Sequence, residues 1–252
     1  MTRAQHFEWL LGLADDALIL GQRLSEWCGH APALEEDIAL SNIALDLIGQ
    51  SRALLSHAGQ TEGAGRDEDR LAFFRTDREY RNLLLVELPN GHFGDTIARQ
   101  FLFDQFSLIR YNHLAEQKFD SEVAAIAAKA LKEVRYHAAH SEDWLIRLGD
   151  GTELSRDRIQ QSIHRLWPFA GECFQTHPVL DAAVAAGAMP DNKTVETIWK
   201  DRVISIMEKA TLNVPDGSWM QSGGRDGLHT EHLSYMLAEM QVIPRMHPDA
   251  KW

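Results

Sequence analysis

Apolar or small residues along this chain recur at alternating three- and four-residue steps, the spacing of helices with one buried face. The pattern is clearest in segment 122–148, where that face carries Val123, Ala127, Ala130, Val134, Ser141, Trp144 and Leu148. His137 falls on the same face. The segment is therefore predicted to be a long helix that carries one histidine into the interior.

Three other segments have the same periodicity and predict long helices of their own. The first covers residues 7–27 and ends before Gly29 and Pro32, and the second covers residues 32–59. The third, residues 96–118, has apolar residues on two sides of the helix. Because each apolar side needs a packing partner, we expect this helix to be buried on two sides.

Two shorter helices are predicted from their end signals. Ser155 is expected to cap a helix at residues 155–166, because its hydroxyl can accept a hydrogen bond from a free amide of the first turn. A helix at residues 230–243 closes the chain. Pro168 and Pro244 follow these two segments and are expected to end them, since proline lacks the amide that a helix interior requires.

The remaining segments are less regular. Residues 194–211 predict one more helix, whereas the apolar run 83–86 within segment 71–87 is compatible with either a helix or a strand. Residues 177–193, rich in alanine and proline, and the glycine-rich stretch 216–227 are predicted to be connections.

Together these elements predict an all-α chain in which four long helices form a bundle and shorter helices are added to it. The chain has 252 residues, of which 44% are hydrophobic and 25% charged, the composition of an ordinary globular protein. We find no repeat, low-complexity tract or linker. Residues 1–252 are therefore interpreted as one domain.

Charge and cysteine content narrow the classes of function. The formal net charge of -12 argues against nonspecific binding to nucleic acid or to anionic membranes. Cys28 and Cys173 offer neither a disulfide framework nor a zinc spacing. Segment 1–20 contains acidic residues, and no later stretch has 18 uninterrupted apolar residues. We therefore expect no signal peptide, no membrane span and a cytoplasmic location.

An inner polar cluster lies on or beside the inward faces of the four long helices and comprises Asp15, Asp46, Gln50, Asp104, Glu133 and His137. Inward carboxylates and histidines are the ligands of ferritin-like di-metal sites, which use Glu-x-x-His pairs. None of the twelve histidines has a glutamate three positions earlier. We therefore favour a polar core without metal over a self-sufficient ferritin-like di-metal oxidase. Asp104 and His137 are expected to bond to each other or to neighbouring groups.

Three smaller patterns leave a structural and a functional interpretation open. Glu133 and His137 are four residues apart, a spacing that favours an ion pair within one helix over a shared metal. His229 and His232 resemble metal ligands but lack a completing acid or cysteine pattern, so a structural or interface role is favoured. The loop 223–227 precedes a helix and could bind an anion through free amides, although such loops are more often simple turns.

The most basic short segment of this acidic chain combines three arginines with an aromatic residue and an amide: Arg75, Arg78, Tyr80, Arg81 and Asn82. An arginine fork suits a phosphate group, and an aromatic ring can stack on a nucleobase. The segment therefore indicates either a phosphate-bearing ligand or a solvated helix surface.

Several stretches match one bacterial family in the same order along nearly the whole chain, at residues 24–32, 42–50, 89–91, 96–100, 132–137, 210–215 and 227–233. On these motifs the chain resembles the structural C subunits of the multicomponent phenylacetyl-CoA epoxidases of aerobic phenylacetate breakdown. The resemblance implies a ferritin-like bundle. Where the catalytic relative has Glu-x-x-His pairs, this chain places Leu47 with Gln50, and Val134 with His137.

The resemblance implies a noncatalytic protein that holds no cofactor or metal of its own. Its implied partner is the catalytic A subunit, whose di-iron centre epoxidises the phenylacetyl-CoA ring with dioxygen and with electrons from other components, including a reductase. The resemblance also implies contact with phenylacetyl-CoA at the boundary between the two proteins through Glu79, Tyr80, Arg81, Asn82, Asp181, Ala182 and Ala183. Within this set we expect Arg81 to bind phosphate and Tyr80 to stack on adenine.

Overall fold

The computed structural model describes residues 1–217 and 219–250. Ser218, which belongs to the predicted glycine-rich stretch, and Lys251 and Trp252 at the end of the predicted domain lie outside the described residues. Within the described ranges the chain is helical and contains no β-strand, which confirms the prediction of an all-α fold. No helix in these ranges combines the length and the apolarity needed to cross a membrane. The extent of the domain, residues 1–252, stays a prediction.

Ten α-helices follow one another in the described residues: α1 (Arg3–Ser25), α2 (Leu34–Glu62), α3 (Glu68–Phe73), α4 (Leu84–Glu87), α5 (Phe93–Leu114), α6 (Ser121–Gly149), α7 (Glu153–Ala170), α8 (Pro178–Ala185), α9 (Asn192–Lys209) and α10 (Glu231–Met246). Short 3-10 helices lie at Asp77–Glu79, Gly171–Phe174 and Gly224–Asp226. The four predicted long helices correspond to α1, α2, α5 and α6.

The four long helices form a bundle. α1 packs against α2, α5 packs against α6, and α2 also contacts α6. α7 and α9 lie against α5, while α8 covers part of α1. Side chains from these helices share one hydrophobic core, in which Trp9, Phe101 and Phe103 are among the largest fully buried members. Burial of this apolar surface is the main force that holds the helices together.

α5 is buried on two sides, as its two apolar faces predict. It contacts α6, α7 and α9, and most of its 22 residues are buried. Seven buried polar residues lie on it as well, among them Arg99, Gln100 and Asp104. α5 therefore leaves little apolar surface for a partner protein.

Polar side chains cap several helices and set where they begin. Asp120 caps α6, where its side chain accepts hydrogen bonds from the Glu122 and Val123 amides. Thr152 caps α7, so the predicted cap at Ser155 was wrong. Both residues can act as caps, but the helix begins at the earlier one, and the Ser155 amide donates to the Thr152 hydroxyl at 3.1 Å.

Two prolines that we expected to end helices lie inside them. α7 continues through Pro168 to Ala170, and α10 continues through Pro244 to Met246. Each proline stands two residues before the end of its helix. It removes one backbone hydrogen bond in the last turn, and only two α-helical residues follow it.

Two irregular segments contain short helices. The ambiguous run 83–86 contributes to α4 and is not a strand. The predicted connection 177–193 contains α8, which His177 caps and which Pro178 begins. Proline suits that first position because its fixed φ is already helical and its missing amide would have had no partner there.

Candidate functional site

The inner polar cluster joins α2 to α6 through cross-helix contacts. His137 is buried on α6, and its Nε2 atom lies 3.0 Å from Oδ2 of Asp46 on α2. Gln50 Nε2 of α2 donates to Oε2 of Glu133 on α6 at 2.9 Å. The expected pair between Glu133 and His137 is therefore wrong, because each residue finds its partner on the facing helix.

Asp104 is a buried carboxyl group on α5 beside this seam. Burial raises the pKa of Asp104 to about 6 from its usual value of 3.8, because water no longer solvates the charged form. His137, Ser141 and Arg99 act in the opposite direction and limit the rise. The carboxyl group therefore changes its charge near neutral pH.

The inner polar cluster lacks the convergence that a di-metal site needs. Leu47 and Val134 are 4% and 2% exposed at inward positions of α2 and α6. Among the residues that the structure describes, the cluster does not bring three carboxylate or imidazole ligand atoms within 4.8 Å of one another. A ferritin-like di-iron site uses four carboxylates and two histidines. The arrangement is suited to hydrogen bonding across the bundle.

Asp15 does not belong to this cluster, which corrects the sequence-based grouping. It is fully buried, and the Arg75 guanidinium donates to both of its carboxylate oxygens. The backbone amide of Arg81 donates to Asp15 Oδ2 at 2.8 Å. Asp15 lies at the edge of the apolar face of α1 and therefore turns toward the segment after α3, away from the α2–α6 seam.

Asp16 anchors a second buried ion cluster, which the sequence analysis missed. Its Oδ2 atom accepts hydrogen bonds from Arg110 and Arg225, each at 2.8 Å. The Leu83 amide donates to Oδ1 at 2.9 Å. Two adjacent acidic residues inside an apolar helix segment were the available signal, but the arginine partners lie 94 and 209 residues away and have no local signature.

The predicted substrate segment 79–82 is mostly committed to internal contacts. The Tyr80 ring is fully buried, its hydroxyl donates to a backbone carbonyl, and the Arg75 guanidinium lies 4.2 Å from its centroid. Burial raises the pKa of Tyr80 above its ordinary value. Asn82 is also buried and donates to Glu87 at 2.8 Å. The expected stacking of Tyr80 on adenine is wrong for this structure, because no face of the ring is open.

Arg81 and Glu79 are the more accessible members of that segment. Glu79 is exposed, whereas Arg81 is half-buried, and its Nε atom donates to Glu8 at 2.6 Å. Nη1 of Arg81 donates to two backbone carbonyls. Nη2 makes no hydrogen bond to the part of the chain that the structure describes, so it is the donor left for a ligand.

The second predicted substrate segment, residues 181–183, lies in α8. Asp181 is exposed and Ala183 is buried. Leu180 of α8 and Arg81 line the same cavity, so the structure brings together two segments that are about a hundred residues apart. The cavity has a volume of about 30 Å³. That is enough for about one or two water molecules and far too small for a CoA thioester.

The glycine-rich loop already binds an anionic side chain. The amides of Gly223 and Gly224 donate to Oε1 of Glu172 at 3.1 and 2.7 Å, and the Leu84 amide donates to Oε2 at 2.7 Å. Burial raises the pKa of Glu172, although these amides favour its charged form. The alternative of a free anion site in this loop is therefore wrong.

His229 also has internal partners. Its Nδ1 atom lies 2.7 Å from Oε2 of the buried Glu87, and its Nε2 atom lies 3.1 Å from the Tyr80 carbonyl oxygen. The Glu87 carboxylate accepts a further hydrogen bond from the Thr230 amide at the start of α10. His229 thus attaches the loop before α10 to α4, in agreement with a structural role.

Comparison with known proteins accounts for the whole chain. Residues 1–252 match the family described as phenylacetic acid catabolic protein. The chain is 49% identical over 244 residues to the C subunit of the 1,2-phenylacetyl-CoA epoxidase of Escherichia coli (strain K12), an alignment that covers 97% of this chain and 98% of that protein. The family is ferritin-like, which confirms the predicted fold. The motifs, the helical bundle and this match agree that the chain belongs to the phenylacetic acid catabolic protein family.

Proposed function

We propose that this chain is the noncatalytic structural subunit of a phenylacetyl-CoA epoxidase. In this role it supports a catalytic partner protein, whose di-iron centre carries out the oxygen-dependent epoxidation of the phenylacetyl-CoA ring. Other components, including a reductase, supply electrons, and the complex works in the cytoplasm. The identity of 49% to the C subunit of the Escherichia coli epoxidase supports this role.

The apolar interior at ligand positions carries the proposal. Leu47 and Val134 are buried at positions where the resemblance to the catalytic relative implies metal-binding side chains, and hydrocarbon groups cannot bind a metal. Four of the remaining polar residues form pairs across the bundle: His137 contacts Asp46 at 3.0 Å, and Gln50 donates to Glu133 at 2.9 Å. Several simultaneous replacements would be needed to complete a di-iron site, so a supporting role fits this interior best.

A supporting protein needs a surface for its partner, and α2 offers one. Leu34, Ile38 and Leu45 are 72%, 54% and 65% exposed. They lie within about 40° of one another around the helix axis. Beyond them, Gly49 has open space around its Cα, so a helix of another protein can approach closely. Rows of exposed apolar residues mark interaction sites, and we assign this face of α2 to the catalytic partner.

Arg81 is the best-placed residue for contact with the CoA portion of the substrate. Its half-buried guanidinium stands beside α8 with Nη2 available, and an arginine fork suits phosphate. Because the adjacent cavity is small, the thioester would lie over the surface between this chain and its partner. In this proposal Tyr80 and Asn82 support the segment from below, through their buried contacts, and do not touch the ligand.

Metal analysis of the purified chain separates this proposal from the alternative, a self-sufficient di-metal oxidase. The oxidase requires about two iron or manganese ions per chain, held by the inner polar cluster. Those ions would be lost in Asp104→Ala or His137→Ala. The structural role is supported if the purified chain is folded and contains no iron or manganese whose binding depends on Asp104 and His137.

A further inference from the structure

One end of the bundle brings together two histidines and an aspartate that the proposed function does not use. His6 lies in the first turn of α1, His57 lies near the C-terminal end of α2, and Asp120 caps α6. The Nε2 atom of each histidine lies 2.7 Å from the same atom, Oδ2 of Asp120. His57 and His6 lie 63 and 114 positions before Asp120 in the chain, so the fold and not a local motif creates the cluster.

We propose that His6, His57 and Asp120 bind one divalent transition-metal ion, for which Zn²⁺ fits the donor set. Two imidazole nitrogens and one carboxylate oxygen are the protein ligands of zinc sites that keep a fourth position for water. Here one ligand atom from each residue lies within 4.8 Å of the other two. Neighbouring ligand atoms around tetrahedral zinc are about 3.3 Å apart, so modest side-chain shifts would form the site.

Asp120 is held in the orientation that such a site needs. Its Oδ1 atom accepts hydrogen bonds from the Glu122 and Val123 amides at 2.9 and 3.1 Å. This leaves Oδ2 directed at the two imidazoles. A ligating carboxylate whose other oxygen is fixed by the backbone is a common way in which proteins orient metal ligands.

The surroundings shelter the cluster without closing it. The Asp120 side chain is 6% exposed, whereas those of His6 and His57 are 20% and 17% exposed, which leaves an approach for an ion. The rings of Trp9 and Phe119 lie beside His6, with centroids 5.8 and 5.2 Å away. Because aromatic walls lower the local dielectric constant, they strengthen the attraction between a cation and the Asp120 carboxylate.

A bound ion would clamp three of the four long helices at one end of the bundle. Binding to the folded chain alone stabilises it by mass action. At a hundredfold excess over the dissociation constant, we expect Zn²⁺ to raise the unfolding temperature by about 5–10 °C. The inference goes beyond the proposed function, because its residues are not those of the inner polar cluster.

Calorimetric titration with Zn²⁺ tests the proposal on the full chain. We expect one ion to bind per wild-type chain with a dissociation constant below about 10 µM. In His57→Gln the side chain still donates a hydrogen bond to Asp120 but is a poor zinc ligand, so binding should weaken about a hundredfold. His140→Gln is the matched control, because His140 pairs with Glu36 at 2.9 Å without a second histidine. That control should bind as the wild type does.

The absence of saturable binding to the wild-type chain, or equal binding by the His57→Gln chain, would overturn the proposal and leave a hydrogen-bonded cluster. Because a variant can lose binding by failing to fold, Co²⁺ bound to the wild-type chain provides a second readout. A tetrahedral nitrogen and oxygen site gives intense visible absorption bands, which Zn²⁺ should remove by displacement. A wild-type spectrum without those bands also contradicts the proposal.

Discussion

Asp104 shows how burial controls the charge of one residue. Its pKa is raised to about 6 in the folded chain, whereas an exposed aspartate has a value of 3.8. Between these two pH values the folded state binds more protons than the unfolded state. The free energy of unfolding therefore decreases as pH rises from about 4 to 6, and the loss is complete above pH 6.

Replacement of Asp104 with the neutral Asn should remove this loss. At pH 7.5 we expect Asp104→Asn to be more stable than the wild type by roughly 3 kcal/mol, since the variant has no charge to desolvate. At pH 4 the two proteins should be about equally stable. Urea unfolding at the two pH values measures the difference. Asp46→Asn is the control, because the Asp46 side chain is one-third exposed and loss of its charge should change the free energy of unfolding less. A destabilised Asp104→Asn at pH 7.5 would show that the charged carboxylate makes a favourable contact.

Arg81 carries the prediction on ligand contact. In the assembled complex, Arg81→Ala should raise the Michaelis constant for phenylacetyl-CoA about three- to tenfold and leave the saturated rate nearly unchanged. That pattern reports binding lost equally from the ground state and the transition state. Arg78→Ala is a matched control, because Arg78 is exposed in the same segment and contacts the Gly227 carbonyl. If the wild-type, Arg81→Ala and Arg78→Ala complexes have equal Michaelis constants, Arg81 has a structural role only.

At the scale of elements, the junction between α1 and the segment after α3 depends on one buried ion pair. Arg75 and Asp15 are almost completely buried, and the guanidinium contacts both carboxylate oxygens. Arg75→Met leaves the Asp15 charge without its partner, so we expect a loss of about 3–5 kcal/mol in the free energy of unfolding. Denaturant titration gives this value. The double variant Asp15→Asn with Arg75→Met should recover much of the loss, and an undiminished stability of the single variant would refute the pairing.

The elements themselves were largely predictable, whereas their partners were not. Helix periodicity depends on local spacing, so it located α1, α2, α5 and α6 and placed His137 on a buried face. The Pro168 and Pro244 predictions failed because the rule for helix interiors was applied to last turns. The contact between Asp16 and Arg225 spans 209 residues, and nothing in the local sequence specifies it.

In the candidate site, too, the features that depend on local sequence were predictable and those that depend on long-range contacts were not. The missing Glu-x-x-His pairs could be read directly, and Leu47 and Val134 are buried as expected. The three-residue group of His6, His57 and Asp120 was not foreseen, since its members share no spacing and meet only when three helices assemble. Chemistry that depends on tertiary contact has no signature in a single chain's periodicity.

At the scale of the whole molecule, α2 should form the contact with the catalytic partner. Ile38→Glu with Leu45→Glu places two charges on the exposed row of α2, and we expect the affinity for the partner to fall at least about tenfold, because charges are disfavoured in the core of an interface. The matched control is Tyr235→Glu with Val242→Glu on the exposed row of α10. Co-purification from cells that express both proteins compares them. If the partner is lost only with the double variant on α10, the interface does not lie on α2.

In the proposed function this chain supports a di-iron partner and contributes no ligand to that centre. Its most direct test is the iron content of the co-purified pair, made with the wild-type chain and with His137→Ala. We expect about two iron ions per pair in both preparations, because all the ligands come from the partner. An assembled pair that loses its iron when His137 is replaced would contradict it.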